Sequence, residues 1–229
     1  MTPPPGLFSN REWEHWGRID PLYAVAAWPG KDLGGAAPWT EGEFRRLGES
    51  DFADIVRHWR HYGIAPGRCV EIGCGAGRLT GPLLSAFDTA LALDVSPAQI
   101  LRATRLLGER AQHVTFQVVS GATIPAPDGS CAGMLSTHVF QHLPSFDAVA
   151  DVGGAHRGAP VGPVRLGLRN TRTRVLRALG FRRFMEYHRY PAARVLRCLE
   201  SLGFHSPELR VFAMTSNGDA HSFFFARRL

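Results

Sequence analysis

The 229-residue sequence has no apolar run approaching the roughly 20 residues that a transmembrane helix needs. Its first residues, MTPPPG, contain neither the basic segment nor the apolar segment of a secretory signal peptide. The four cysteines are scattered and form no C-x-x-C pair, which argues against a zinc site and against a disulfide framework. We therefore predict a soluble, reduced, cytoplasmic protein with no membrane partner and no bound metal.

Lysine is almost absent, since Lys31 is the single lysine among 26 basic residues. The net charge of +6 is uneven: residues 1–150 sum to −3 (12 basic, 15 acidic) and residues 151–229 to +9 (14 basic, 5 acidic). Such a basic region could bind nucleic acid, an acidic small molecule or a partner protein. The alternative is that it is only a solvated face. No RNA- or DNA-binding motif accompanies it, so we expect no nucleic-acid partner. The oligomeric state, a homodimer included, is left open.

The N-terminal region differs in composition from the rest of the chain. All five tryptophans lie in the first 59 residues, which predicts a separate packing unit. Residues 43–62 carry apolar side chains at helical spacing, while residues 11–40 are mixed and contain turn signals. We divide the chain into an N-terminal helical cap, residues 1–65, and a core, residues 66–229, with a basic variable segment at residues 171–190.

Short apolar runs alternate with helical patterns throughout the core. This alternation is typical of an α/β fold whose parallel sheet is doubly wound, with helices on both faces. The loop at residues 215–219 contains Asn-Gly and predicts that the last two strands are antiparallel neighbours. We expect a seven-stranded, mostly parallel sheet closed by an antiparallel C-terminal hairpin. The predicted helices lie at residues 79–87, 96–111 and 192–202, and the strands at 69–72, 89–93, 114–119, 133–136, 164–168, 209–213 and 222–226.

Three closely spaced glycines follow the first core strand, in residues 71–78 (EIGCGAGR). Glycines at the carboxyl end of a strand and beside a helix N-terminus let a ligand approach the backbone closely. The spacing departs from the dinucleotide fingerprint G-x-G-x-x-G, because Arg78 stands at its third glycine. Glu71 would repel a pyrophosphate, whereas it can accept hydrogen bonds from a ligand ammonium.

The second core strand ends at Asp94. An acidic residue at this position can accept hydrogen bonds from both hydroxyls of a ribose. Ser96 and Pro97 then form the predicted N-cap and first residue of a helix. The alternative is that Asp94 only caps the strand and contacts no ligand.

Residues 71–78 (EIGCGAGR) and 92–97 (ALDVSP) together resemble the class I S-adenosylmethionine-dependent methyltransferases. The resemblance covers residues 66–229 in order and topology and is sharpest at residues 69–99 and 135–144. It implies a Rossmann-like fold, S-adenosylmethionine as cofactor, and methyl transfer to a small-molecule acceptor. It implies the following cofactor-binding residues: Glu71, Gly73, Cys74, Gly75, Gly77, Asp94, Val95, Gly121, Ala122 and Ser136. The family often has an aspartate at this position, which contacts the adenine amino group. Gly121 stands there in this chain, so backbone groups would contact the adenine edge instead.

The segment 138–144 (HVFQHLP) resembles the family loop that borders cofactor and substrate. Histidine is a natural general base near neutral pH, so His138 and His142 are the catalytic candidates. The alternative for each of them is a structural role. The predicted substrate-binding residues are Tyr23, His138, His188 and Tyr190, against a buried aromatic role. Two further functions stay open: a cofactor-binding protein of this fold that does not methylate, and an RNA methyltransferase.

Overall fold

A computed structural model describes residues 8–120, 124–127, 129–143 and 190–227. The helices are α1 (Phe8–Ile19), α2 (Pro21–Val25), α3 (Glu41–Trp59), α4 (Thr80–Leu83), α5 (Pro97–Leu107) and α6 (Ala192–Ser201). The strands are β1 (Arg68–Ile72), β2 (Thr89–Asp94), β3 (Val114–Val118), β4 (Gly133–Ser136), β5 (His205–Ala213) and β6 (Ala220–Arg227). Short 3-10 turns lie at Arg60–Tyr62, Gly108–His113 and Phe140–His142.

Four strands form a parallel sheet in the order β3-β2-β1-β4. Glu71 of the central strand β1 is in register with Ala92 of β2 and with Leu135 of β4. Apart from their first residues, β1 and β2 are buried along their whole length, as expected for parallel strands that helices cover on both faces. The carboxyl ends of β1, β2 and β4 therefore meet at one edge of the sheet.

The last two strands form an antiparallel hairpin, which confirms their predicted pairing. The prediction of a single seven-stranded sheet is corrected, because the described residues place four strands in the parallel sheet and two in a separate sheet. In this part of the chain no strand hydrogen-bonds to both β4 and the hairpin. The strand predicted at residues 164–168 lies outside the described residues.

Side chains alternate between the two faces of β1 and so supply two apolar clusters. Cys69 packs with Phe52, Leu83 and Met214 on the face that α3 and the hairpin cover. The remaining face carries a second cluster of strand residues, Val70, Ile72, Leu91 and Leu93. The hairpin is thus held to the domain through α3 and the first cluster.

Helix α3 confirms the helix predicted at residues 43–62 and begins two residues earlier. Thr40 accepts a hydrogen bond from the Glu43 amide and Glu43 bonds back to Thr40, which forms a capping box. The predicted helix at residues 79–87 is shorter than expected, since α4 ends at Leu83 and hydrogen-bonded turns follow. The mixed pattern of residues 11–40 did not predict α1 or α2.

The N-terminal helices share a core with the α/β part of the chain. Leu22 and Phe44 pack in one buried cluster with Ala76 of the glycine segment and Leu106 of α5. Helix α1 also lies against α5. The N-terminal segment therefore touches the glycine-rich turn directly.

Candidate active site

The glycine-rich turn is fixed at the carboxyl end of β1 by backbone hydrogen bonds. The amides of Gly73 and Cys74 donate to the carbonyl of Leu93, at 2.7 and 2.9 Å. Gly73, Gly75 and Gly77 all have positive φ angles, of 71°, 53° and 84°. Other residues rarely adopt this conformation, so the three glycines are required by the turn itself.

Asp94 joins the ends of β1 and β2. Its Oδ2 accepts a hydrogen bond from the Gly75 amide at 2.8 Å, and its Oδ1 accepts one from the Ser96 amide at 2.9 Å. Burial raises the pKa of this carboxyl, and the hydrogen bonds from Ser96 and Gly75 oppose that rise. Each carboxylate oxygen keeps a further lone pair, so Asp94 can hold the turn and still accept ligand hydroxyls. Val95, which follows, is half-buried.

Glu71 lies buried near the end of β1. The Thr80 hydroxyl at the start of α4 donates to its Oε2 at 2.6 Å. Burial raises the pKa of Glu71 to about 8, and the nearby Asp94 charge adds to the rise. The structure thus gives Glu71 a partner in α4 that the sequence did not indicate. A cation placed close by would favour its ionised form.

The segment after β4 runs alongside the glycine turn. The Ser136 hydroxyl donates to the Ile72 carbonyl at 3.2 Å. Val139 lies against the backbone of Gly73, where a side chain on Gly73 would collide with it. The structure therefore brings predicted cofactor-binding residues of β1 and β4 to one place.

His138 has a positive φ of 58°, a conformation that is uncommon outside glycine and recurs at functional sites. The side chain is accessible to solvent. Even so, burial by surrounding atoms lowers its pKa to about 4, and the charges of Arg78, His221 and His142 lower it further. His138 is neutral at pH 7 and a weak base.

His142 belongs to the segment after β4, and Tyr190 bonds to the end of that segment. The His142 ring lies 5.0 Å from the ring of Trp13 in α1, nearly perpendicular to it. The Tyr190 hydroxyl donates to the Leu143 carbonyl at 2.7 Å. Tyr23 lies in α2, tilted against Trp16 with the ring centres 6.3 Å apart. The predicted site residues Gly121, Ala122 and His188 lie outside the described residues.

Contacts of the N-terminal helices at this edge had no signal in the sequence. The Glu14 carboxylate of α1 accepts hydrogen bonds from the Ser96 hydroxyl at 2.7 Å and the Ala98 amide at 3.1 Å. Val25 at the end of α2 rests against Gly75, and a Cβ on Gly75 would lie 2.5 Å from its Cγ2. These partners are 50 to 84 residues apart in the chain, beyond the reach of local patterns.

A buried ion pair links α3, the glycine segment and the hairpin. Arg78 pairs with Asp51 of α3, and the Ser216 hydroxyl in the hairpin turn donates to Asp51 at 2.5 Å. Burial lowers the pKa of Arg78 to about 10, so the guanidinium stays charged at neutral pH. Through this turn β6 is positioned with its His221 ring 5.2 Å from the ring of His138, at 87°.

Within the described residues, no group of three or more His, Cys, Asp or Glu side chains is arranged to hold a metal ion. None of the helices described is long and apolar enough to cross a lipid bilayer.

Residues 69–157 match the family described as "Methyltransferase domain". This match supports the resemblance of residues 69–157 to the class I S-adenosylmethionine-dependent methyltransferases. The malonyl-[acyl-carrier protein] O-methyltransferase of Methylococcus capsulatus is 34% identical over 125 residues, which are 52% of this chain and 44% of that protein. The chain thus spans less than half the length of this curated relative.

Two solved structures have the same fold over nearly the whole chain. One is the magnesium protoporphyrin IX methyltransferase of Synechocystis PCC 6803 with bound S-adenosylmethionine: TM-score 0.57, 18% identity, 96% of this chain and 97% of the other. The second is a Methanococcus maripaludis protein classed with the S-adenosyl-L-methionine-dependent methyltransferases: TM-score 0.53, 15% identity, 100% and 97%. At these identities the likeness shows the Rossmann-like fold.

Proposed function

We propose that the chain binds S-adenosylmethionine at the glycine-rich turn and transfers its methyl group to a small-molecule acceptor. The observation that carries the proposal is the position of Asp94, whose carboxylate is held between the amides of Gly75 and Ser96. This geometry sets an acidic side chain beside bare backbone at the carboxyl ends of two parallel strands, the usual place for a nucleoside in such folds.

The residues present fit this cofactor. Gly73 and Gly75 lack side chains at positions where a Cβ would collide with Val139 or Val25, and Asp94 can accept the ribose hydroxyls with its free lone pairs. Glu71 is a buried acid that the positive charge of a sulfonium or ammonium would ionise. When bound, the cofactor supplies a reactive methyl group, and the chain's own residues supply alignment and exclusion of water.

The N-terminal helices are proposed to cover the bound cofactor. Glu14 fixes α1 to the start of α5, Trp13 reaches His142, and Val25 lies on Gly75. Together these contacts set apolar surface over the edge of the sheet where transfer would occur. Tyr23, half-buried in α2, is the proposed contact of this cover with the acceptor.

The names of the relatives support a small acceptor group. One relative is named for a malonyl group on acyl-carrier protein and another for magnesium protoporphyrin IX. The acceptor of this chain is a proposal in its own right, and the cofactor-binding protein that does not methylate is the alternative that the experiment addresses.

The test compares two glycines that both have a positive φ. Gly75 and Gly108 have similar φ angles, of 53° and 58°, but a Cβ on Gly75 meets Val25 whereas one on Gly108 meets nothing within 4 Å. Both variants place an alanine at a positive φ, and only Gly75→Ala also forces a side chain against Val25 at the proposed cofactor site. We expect calorimetry to show that S-adenosylhomocysteine binds wild type and Gly108→Ala with similar affinity. Its affinity for Gly75→Ala should be at least tenfold lower.

Equal affinity in the two variants would contradict close backbone approach at Gly75. Transfer itself is followed with methyl-labelled cofactor and a panel of small acids, phenols and amines. A skeletal change in the acceptor without added label would favour the non-methylating alternative.

A further inference from the structure

Helix α1 contacts the segments that follow three of the four parallel strands. Glu14 bonds to the start of α5, which follows β2. The Asn10 side-chain amide donates to the Ser120 carbonyl after β3 at 3.0 Å. Trp13 meets His142 after β4. Because these segments leave the sheet at its carboxyl edge, α1 lies across the proposed cofactor site, and the inference that follows from this rests on the proposed function.

A continuous chain of hydrogen bonds leads from α1 to the Asp94 carboxylate. The Ser96 hydroxyl donates to Glu14 at 2.7 Å, and the amide of the same residue donates to Asp94 Oδ1 at 2.9 Å. The other carboxylate oxygen, Oδ2, accepts a hydrogen bond from the Gly75 amide at 2.8 Å. Ser96 thus contacts both acidic side chains, one through its hydroxyl and the other through its amide.

The start of α5 takes part of its cap from α1. The first amides of a helix have no partner within the helix and need an acceptor. The Ser96 hydroxyl oxygen accepts a hydrogen bond from the Gln99 amide at 3.2 Å. The Ala98 amide donates instead to the Glu14 carboxylate, at 3.1 Å. A charged acceptor makes a strong hydrogen bond, so Glu14 fixes the first turn of α5 from outside.

Packing leaves Ser96 little freedom to move away from Glu14. Ser96 is fully buried. The backbone of α1 lies against it at Gly17, where a Cβ would be 2.8 Å from the Ser96 Oγ. A buried hydroxyl without its acceptor is costly, so the contact with Glu14 holds Ser96 in place. The position of the amide that holds Asp94 therefore depends on α1.

The charge of Glu14 by itself would not help a carboxylate that binds a ligand. Burial raises the pKa of Asp94, and the Glu14 charge raises it further. Both effects disfavour the ionised form, which is the stronger acceptor for hydroxyl groups. Any benefit of Glu14 to ribose binding must therefore come from its hydrogen bonds to the start of α5.

We propose that Glu14 is a positioning residue of the cofactor site: through Ser96 it holds the Asp94 carboxylate in the orientation that receives the ribose hydroxyls. A side chain that is already oriented loses less conformational freedom when a ligand binds. The N-terminal helix therefore contributes to cofactor affinity, in addition to covering the site.

The test measures how much of the binding affinity depends on the ribose hydroxyls. Calorimetry compares S-adenosylhomocysteine with its analogue in which hydrogen atoms replace both ribose hydroxyls, and the ratio of the two affinities is the ribose preference. We expect a ribose preference of about tenfold or more in wild type and of about threefold or less in Glu14→Ala. A substitution that only destabilised the fold would weaken both ligands equally and leave this ratio unchanged.

Three further variants identify the cause. Glu14→Gln keeps an acceptor oxygen for Ser96 and removes the charge, so it should retain the wild-type ribose preference within about twofold. Arg18→Gln removes the exposed partner of the other Glu14 oxygen and should leave the preference unchanged. Ser96→Ala breaks the same chain of hydrogen bonds and should lower the preference as Glu14→Ala does. This variant gives the answer even if Glu14→Ala fails to fold.

The failures of the two proposals are distinguishable. A wild-type protein that binds neither ligand, or that binds both with equal affinity, contradicts the proposed cofactor site itself. A wild-type ribose preference that persists undiminished in Glu14→Ala or in Ser96→Ala overturns the positioning role alone. An equal loss of the preference in Glu14→Gln and Glu14→Ala also overturns it, because the acceptor oxygen would then not be the cause.

Discussion

Replacing Asp94 with asparagine isolates the charge of the residue that joins β1 and β2. The wild-type carboxylate accepts one hydrogen bond on each oxygen, from the amides of Gly75 and Ser96. An asparagine has one acceptor oxygen, so its NH2 group must face one of these two N–H donors. The substitution keeps the size of the side chain and removes a charge-assisted bond.

The expected magnitude follows from these two bonds. A hydrogen bond to a charged group contributes about 1.5–3 kcal/mol. Loss of one such bond in the protein is partly offset, because burial already disfavours the charged form of Asp94. We therefore expect unfolding to become easier by about 1–2 kcal/mol. A weakened ribose contact should in addition lower the affinity for the nucleoside by a factor of about 5 to 150, equivalent to about 1–3 kcal/mol.

Two measurements check this reasoning, urea unfolding and calorimetric titration with S-adenosylhomocysteine. Asp88→Asn serves as the control, because Asp88 is exposed and lies just before the same strand. An Asp94→Asn protein that binds the ligand within twofold of wild type would refute the ribose assignment. Normal binding together with lower stability would restrict Asp94 to fixing the turn.

Two further substitutions test the buried charges near the site. Glu71→Gln should flatten the pH dependence of stability. The pKa of Glu71 in the folded protein is about 8, above its ordinary value of 4.5. The wild-type stability that is present below pH 4.5 is therefore lost as the pH rises to 8, by about 5 kcal/mol at most. Parallel urea-unfolding profiles from pH 5 to 8 would contradict this. Asp51→Asn should leave the Arg78 guanidinium buried without its counter-charge and cost about 3–5 kcal/mol by urea unfolding, whereas the exposed Glu49→Gln on the same helix should cost little. Equal losses in these two variants would show that the ion pair does not stabilise the fold.

Prediction from sequence was most successful where the physical requirement is local. The alternation of apolar runs located β1 and β2, and Ser96 and Pro97 marked the start of α5, because burial periodicity and capping depend on neighbouring residues. The turn at residues 71–78 needs positive φ angles, and glycine meets that need in the sequence itself.

The errors have equally physical causes. The mixed pattern of residues 11–40 concealed α1, whose stability comes from contacts such as that of Glu14 with Ser96, 82 residues away. The single seven-stranded sheet was expected because strand patterns do not specify which strands pair. Pairing depends on long-range hydrogen bonds, and among the described residues the two strands of the hairpin pair only with each other.

The sequence by itself determined that the chain alternates strands and helices, that a glycine turn follows β1, and that an acidic residue ends β2, since each depends on residues within one or two turns of chain. Only the tertiary structure decided that Val25 rests on Gly75, that Asp51 neutralises Arg78, and that His221 faces His138. These pairs are separated by 27 to 83 residues, and burial of the whole core is what brings them together.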